Sequence, residues 1–197
     1  MAASVKSSHD LTFEDHPFWD FSLKVYSSEG VGAACLALQE RRAIDVNLVL
    51  FCIWNGASGR GRLSAGELDA ALAAVRAWNR DIVVGLRAVR DELKGGMAPI
   101  PKERSDALRK RILKIEIDCE HAEQLALANA VGRVAQADLP PDRRAEDAAA
   151  NVAAYFRRHG FAPDAQDTTR TTRILNAAFP EVGAVELEEM CRKAVAG

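Results

Sequence analysis

No cysteine in this chain belongs to a Cys-x-x-Cys pair. The four that occur, Cys35, Cys52, Cys119 and Cys191, lie far apart, which removes the paired spacing of a zinc site. Each is flanked by apolar residues at helical spacing, the setting of buried free thiols in a reducing compartment. Long hydrophobic runs are missing too. The most apolar stretch, residues 46–54, is far too short to cross a bilayer. Residues 1–10 are polar and lack the apolar core of a secretion signal, so a cytoplasmic protein without membrane insertion is expected. Neither sign of charge dominates. A formal net charge of -2 gives no general electrostatic reason to seek nucleic acid or an anionic membrane. The four histidines, His9, His16, His121 and His159, form no catalytic grouping in sequence. No serine stands in a nucleophile elbow. No catalytic residue is assigned, no cofactor is implied, and an enzyme is not the leading expectation.

What is present is an ordinary globular composition, 48% hydrophobic and 27% charged over 197 residues, enough for one or two domains with a sizeable core. Residues 1–14 read as a flexible tail. Asp15 is the expected cap of a first helix with Pro17 in its first turn, and Phe18, Phe21, Ser22 and Val25 then share a face. A second helix is expected over 31–42, with Ala34, Cys35 and Leu38 inward. Asp45 is the next cap. The run that follows it is apolar on nearly every side, which predicts a central helix stopped at Gly56. Ser64 and Glu67 have capping-box spacing. A long helix is expected from there to Lys94, bent near Asn79 or Gly85, with Leu68, Leu72, Val75, Ile82, Leu86 and Val89 in one stripe.

The proline-containing segment 97–101 is the clearest boundary. A second long helix is expected over 102–136, where Leu108, Ile112, Ile115, Cys119, Ala122, Ala126 and Asn129 repeat at heptad spacing. Shorter helices are expected over 142–158, with Asp142 as cap, over 168–178 and over 181–196. The last should turn Val185, Leu187, Met190, Cys191 and Ala194 inward. The predicted architecture is an all-α helical bundle. Residues 15–96 form one bundle half, the heptad-like helix 102–136 packs on it, and 142–197 is a small C-terminal helical accessory unit.

Several segments carry a more specific pattern: Phe18-Trp19-Asp20-Phe21, the Gly30-Val31 turn, Ala34-Cys35-Leu36-Ala37-Leu38-Gln39, Asp45-Val46-Asn47-Leu48 and Trp54. Trp78, Val83, Leu86-Arg87, Arg90 and Leu93-Lys94 follow in the same order and spacing. Over residues 17–94, and more loosely to about 133, the chain resembles a bacterial family of small helical proteins of unknown function. The proline usual in that family before Leu86-Arg87 is Gly85 here. The resemblance implies the helical fold and transfers no mechanism.

Three sets of polar residues deserve a place among the candidates. Glu116, Asp118, Glu120, His121 and Glu123 cluster on the second long helix, where pairs three or four apart share a face, as metal ligands do in carboxylate bundles, and the first four are the candidate ligands. Only one helix of this kind occurs, so a solvated acidic face is the plainer expectation. Lys102, Arg104, Arg109, Lys110, Arg111 and Lys114 make the first half of that helix basic. Without interleaved aromatics or a helix-turn-helix pattern, nucleic acid is disfavoured. A helix basic in one half and acidic in the other suits antiparallel pairing with a second copy, so a homodimer through 102–136 is a candidate.

The third set is Asp20, Asn47, Arg87 and Arg90, polar residues among apolar neighbours. Inside a bundle they form either a structural ion-pair network or the polar floor of a small-ligand pocket walled by Trp19, Trp54 and Trp78. The Gly-rich loop 56–62 lacks a Gly-Lys-Ser/Thr ending and reads as an interhelical turn. The leading functional expectation is a non-enzymatic interaction or regulatory protein. The alternative is a helical bundle that binds a small ligand or metal as carrier or enzyme.

Overall fold

Pro17 fixes where the first helix starts. Its missing N–H costs nothing at the first helical position, so the cap must be the residue before it. His16 takes that role, its Nδ1 accepting from the Phe18 backbone N–H at 3.1 Å, in place of the expected Asp15. The helix α1 is Pro17–Tyr26 and α2 is Val31–Arg42. Asp45 caps α3, Val46–Ala57, by accepting from the Asn47 N–H at 2.8 Å. The computed structural model describes residues 13–96, 98–136 and 138–196. The expected tail, with His9, therefore lies up to residue 12 outside the described residues.

Helix α3 is the centre of the molecule, as its all-round apolarity requires. Ten consecutive residues, from Asn47 to Gly56, are buried. Each fully buried large apolar side chain here contributes about 1.5–3 kcal/mol. Gly56 does not stop the helix. It is a point of close approach: a Cβ there would lie 2.5 Å from the Ala148 nitrogen and 2.6 Å from the Arg144 carbonyl oxygen. Helix α7, Pro141–His159, crosses α3 at that point and packs on it more extensively than any other pair of helices does. It begins at Pro141 rather than at a cap on Asp142, for the reason that applies at Pro17. Gly160 ends it at φ 91°.

Ser64 and Glu67 form the expected capping box of α4, Ala65–Trp78. The bend expected near Asn79 is a π-helical turn, Asn79–Val83, which leads without a break into α5, Val84–Glu92. A π turn inserts one extra residue and so shifts the helical phase. For that reason Val83 is buried, while Ile82 and Val89, which the unbroken stripe would turn inward, are exposed. Helix α6, Lys102–Ala130, ends six residues sooner than expected. Val131 is extended, and the chain then pairs the Gln136 N–H with the Gly59 carbonyl at 2.9 Å.

Helices α8, Ala165–Ala178, and α9, Ala184–Ala196, complete a compact C-terminal unit with α7. Its core is continuous with that of α1–α4, from Phe18 to Cys191. A capping box on Asp164 and Asp167, which the sequence reading passed over, starts α8 three residues early. Arg41 and Arg42 at the end of α2 bind both carboxylates, with Arg42 Nε 2.9 Å from Asp167 Oδ2. In α9, Leu187 and Cys191 are buried but Val185 is exposed. The fold is all-α, and no strand occurs among the described residues.

Candidate functional site

Helix α6 does not bury its heptad seam within the bundle. Its buried line is Ser105, Glu116, Glu123, Gln124 and Leu127, while Leu108 and Ile115 of the apolar seam are exposed at 45% and 50%. The acidic turns expected to be solvated face the interior instead. Glu116 is 4% exposed and Glu123 is 1% exposed.

Glu116 and Glu120 are held by the two arginines of α5. Arg87 donates through Nε to Glu116 at 3.1 Å and through Nη2 to Glu120 at 2.9 Å, and Arg90 Nε donates to Glu116 at 2.6 Å. Arg87 and Arg90, three apart, share a face, as do Glu116 and Glu120, four apart. The two faces meet because α5 and α6 lie side by side. Buried pairs of this kind fix the register of two helices more than they add stability.

One turn further along α6, Glu123 meets the start of α3. The Asn47 amide donates to Glu123 Oε2 at 2.7 Å, and Gln124 Nε2 donates to Asn47 Oδ1 at 2.8 Å. The carboxylate can only accept from Asn47, so it fixes which way that amide points. Asn47 in turn fixes Gln124, which leaves Gln124 Oε1 as an unpartnered acceptor. The π turn sets the Asn79 amide 3.5 Å from the same Glu123 oxygen. Asp45 holds the α3 N-terminus through Oδ1 and lies beside Glu123, and Asp45 Oδ2 and Glu123 Oε1 are both buried without a hydrogen-bond partner. Burial, then each other's charge, raises Glu123 far above the usual carboxylate range, and burial raises Asp45 as well.

Asp45, Asn47 and Gln124 form the floor of an interhelical cavity of about 430 Å³. Trp19, Ser22 and Tyr26 of α1 make one wall, and Cys35, Leu36 and Gln39 of α2 the next. Asn79, Arg87 and Arg90 face them, with Leu113, Glu116, Ile117 and Glu120 from α6. Three polar atoms of lining residues are shielded from solvent and have no partner: Ser22 Oγ, Asp45 Oδ2 and Gln124 Oε1. Around the mouth, Leu23, Tyr26, Leu36, Leu113 and Ile117 are each 41–51% exposed.

Of the seven residues expected as a pocket, Trp19, Asn47, Arg87 and Arg90 line this cavity, and Asp20, Trp54 and Trp78 do not. Asp20 is exposed. Trp54 stacks on Phe18 at 5.0 Å under the Arg60 guanidinium at 4.1 Å. Trp78 donates its indole N–H to the Cys119 carbonyl at 3.0 Å. His121 lies parallel to Trp19 at 4.0 Å, away from Glu116 and Glu120, which the arginines occupy. Among the described residues, no three His, Cys, Asp or Glu side chains converge as a metal would need. The basic residues Lys102, Arg104, Lys110, Arg111 and Lys114 are exposed and Arg109 is half-buried. Sequence reasoning missed Ser22 as a polar interruption of an apolar stripe, Asp45 as more than a cap, and Gln124 altogether.

Fold and site together define an all-helical protein with a polar-floored cavity inside its N-terminal bundle. The chain belongs to the family described as "Protein of unknown function (DUF2390)", whose model matches residues 17–127. Every residue lining the cavity lies within that segment. No curated protein and no solved structure matches the chain. None of its described helices is long and apolar enough to cross a membrane.

Proposed function

We propose that this protein binds a small organic molecule in the cavity between α1, α2, α5 and α6, as a carrier or a ligand-responsive regulator. One observation carries the reading: Ser22 Oγ, Asp45 Oδ2 and Gln124 Oε1, all shielded from solvent, lack partners within a single cavity. A buried polar atom left unpaired costs about 1–3 kcal/mol, and a ligand that pairs with it recovers that cost. The volume suits a small molecule, and apolar walls with a few convergent polar groups are the usual composition of such sites. A thermal-shift screen of small polar aromatics tests this. A ligand at a hundred times its Kd adds about 2.7 kcal/mol, which raises Tm by about 5–10 °C in a chain of this size. Ser22→Leu removes the hydroxyl and obstructs the α1 wall of the cavity, and should abolish the shift. Leu36→Trp, an exposed change at the rim, should weaken it. Shifts that survive both variants would refute the site.

A second reading is self-association through the outer face of α6, supported by the exposure of Leu108 and Ile115. The electrostatic argument for antiparallel pairing has lost two of its acidic partners, because Glu116 and Glu120 are engaged by α5. The apolar stripe remains. Sedimentation equilibrium decides it, since Ile115→Lys should then shift a dimer to monomer. We further infer a reducing, cytoplasmic and bacterial setting. The free state of Cys35, Cys52, Cys119 and Cys191 supports the first two, and the resemblance of residues 17–94 supports the third.

A further inference from the structure

We infer that the ligand of this cavity is an organic monocation, an ammonium group on a flat apolar body, whose charged end rests against Asp45 in front of Glu123. This depends on the cavity being a ligand site. The lining carries three carboxylates, Asp45, Glu116 and Glu120, against two arginines, and holds neither lysine nor histidine. Arg87 and Arg90 are spent on Glu116 and Glu120. An anionic ligand would have to displace those carboxylates to reach them. The Asp45 end has no cation bonded to it, and its unpartnered atoms ask for donors: Asp45 Oδ2 and Gln124 Oε1 can only accept, and Ser22 Oγ can accept. The three lining carboxylates and two arginines leave a charge of about -1 in the cavity, which a monocation neutralises. Trp19 and Tyr26 on the α1 wall supply aromatic surface, the usual companion of an ammonium group.

The charged and titratable groups around the acidic pair are Arg87 on α5, Glu120 on α6, Cys52 on α3 and Tyr155 on α7, whose hydroxyl accepts from the Asp45 backbone N–H at 2.9 Å. Arg87 is the only cation of this group, and it is bound to Glu116 and Glu120. A bound ammonium loosens the pair's hold on its proton, so affinity should rise with pH across neutrality.

Three probes that differ only in the end group test the inference: tryptamine, tryptophol and indole-3-propionate, titrated by protein-observed NMR at pH 8. Tryptamine should bind about tenfold tighter than tryptophol, as expected for a charge-assisted bond. The propionate should bind weakest. Asp45→Asn, which keeps the α3 cap, should bring tryptamine down to the level of tryptophol and cost tryptophol far less. Equal or tighter binding of the alcohol or the acid, with shifts at Ser22 and Asn47, would overturn the cationic class and leave the cavity as a ligand site. No shift at these residues from any probe would overturn both. A loss of tryptophol binding in the Asp45→Asn protein would show a structural role for Asp45 and overturn its assignment as the ammonium partner.

Discussion

The buried acid pair makes a stability prediction that needs no ligand. Glu123 is 1% exposed and its carboxyl is raised from 4.5 to about 8 by burial and by Asp45. A raised acid holds its proton in the folded state at pH values where the unfolded chain has already released it. Stability must then fall as pH climbs from the ordinary glutamate range to about 8, and level off above. At 1.36 kcal/mol per pH unit the full loss is at most about 5 kcal/mol, and about 2 kcal/mol is expected once local relaxation and water entry are allowed. Glu123→Gln reproduces the shape and donor of the protonated side chain. Its Nε2 can donate to Asp45 and its Oε1 can still accept from the Asn47 amide. The variant should therefore match the wild type near pH 5 and exceed it by about 2 kcal/mol or more at pH 9. Urea denaturation at five pH values gives the difference directly. A difference that stays flat from pH 5 to 9, or a variant that loses ground at high pH, would refute the account of a Glu123 that keeps its proton because it is buried.

Two glycines should respond in opposite directions. Gly56→Ala drives a Cβ to 2.5 Å from the Ala148 backbone and should cost about 1–3 kcal/mol. Gly85→Ala meets nothing within 4 Å and should add about 0.5–1 kcal/mol of helix propensity; thermal melts separate the two. Asp167→Asn leaves Arg41 and Arg42 without their fully buried partner and should cost about 3 kcal/mol in urea denaturation. In the native protein a thiol reagent should modify half-buried Cys119 first. Cys35 and Cys191, which burial pushes up to about 12 and about 11, should react at a measurable rate only on unfolding.

The fold was legible wherever a local signal and a burial pattern agreed. Asp45 before the apolar run, Gly56 after it and helical neighbours on both sides favoured a capped central helix over a strand, and Ser64 with Glu67 named its own helix start. The site was legible in part. Arg87, Arg90 and Asn47 stood out as polar residues in apolar company, but their partners did not. Glu116 and Glu123 lie on an acidic stretch that in isolation belongs in water. What turns them inward is the approach of α5 and α3, a tertiary fact with no local signature. The heptad seam of α6 lies outside the core of the single chain for the same reason, since hydrophobic spacing shows which side chains would rather be buried and says nothing of ion pairs that another helix supplies. The π turn was anticipated only as a bend near Asn79, and its one-residue phase shift, which buries Val83 in place of Ile82, cannot be read from periodicity that assumes an unbroken helix.

The most direct measurement is a two-dimensional amide NMR map of a small-molecule hit on the wild-type protein and on Ser22→Leu. Shifts gathered on the α1, α3 and α6 segments around Ser22, Asn47 and Gln124, and erased by the leucine, are the predicted result. Shifts spread over the surface, or persisting in the leucine variant, would contradict it.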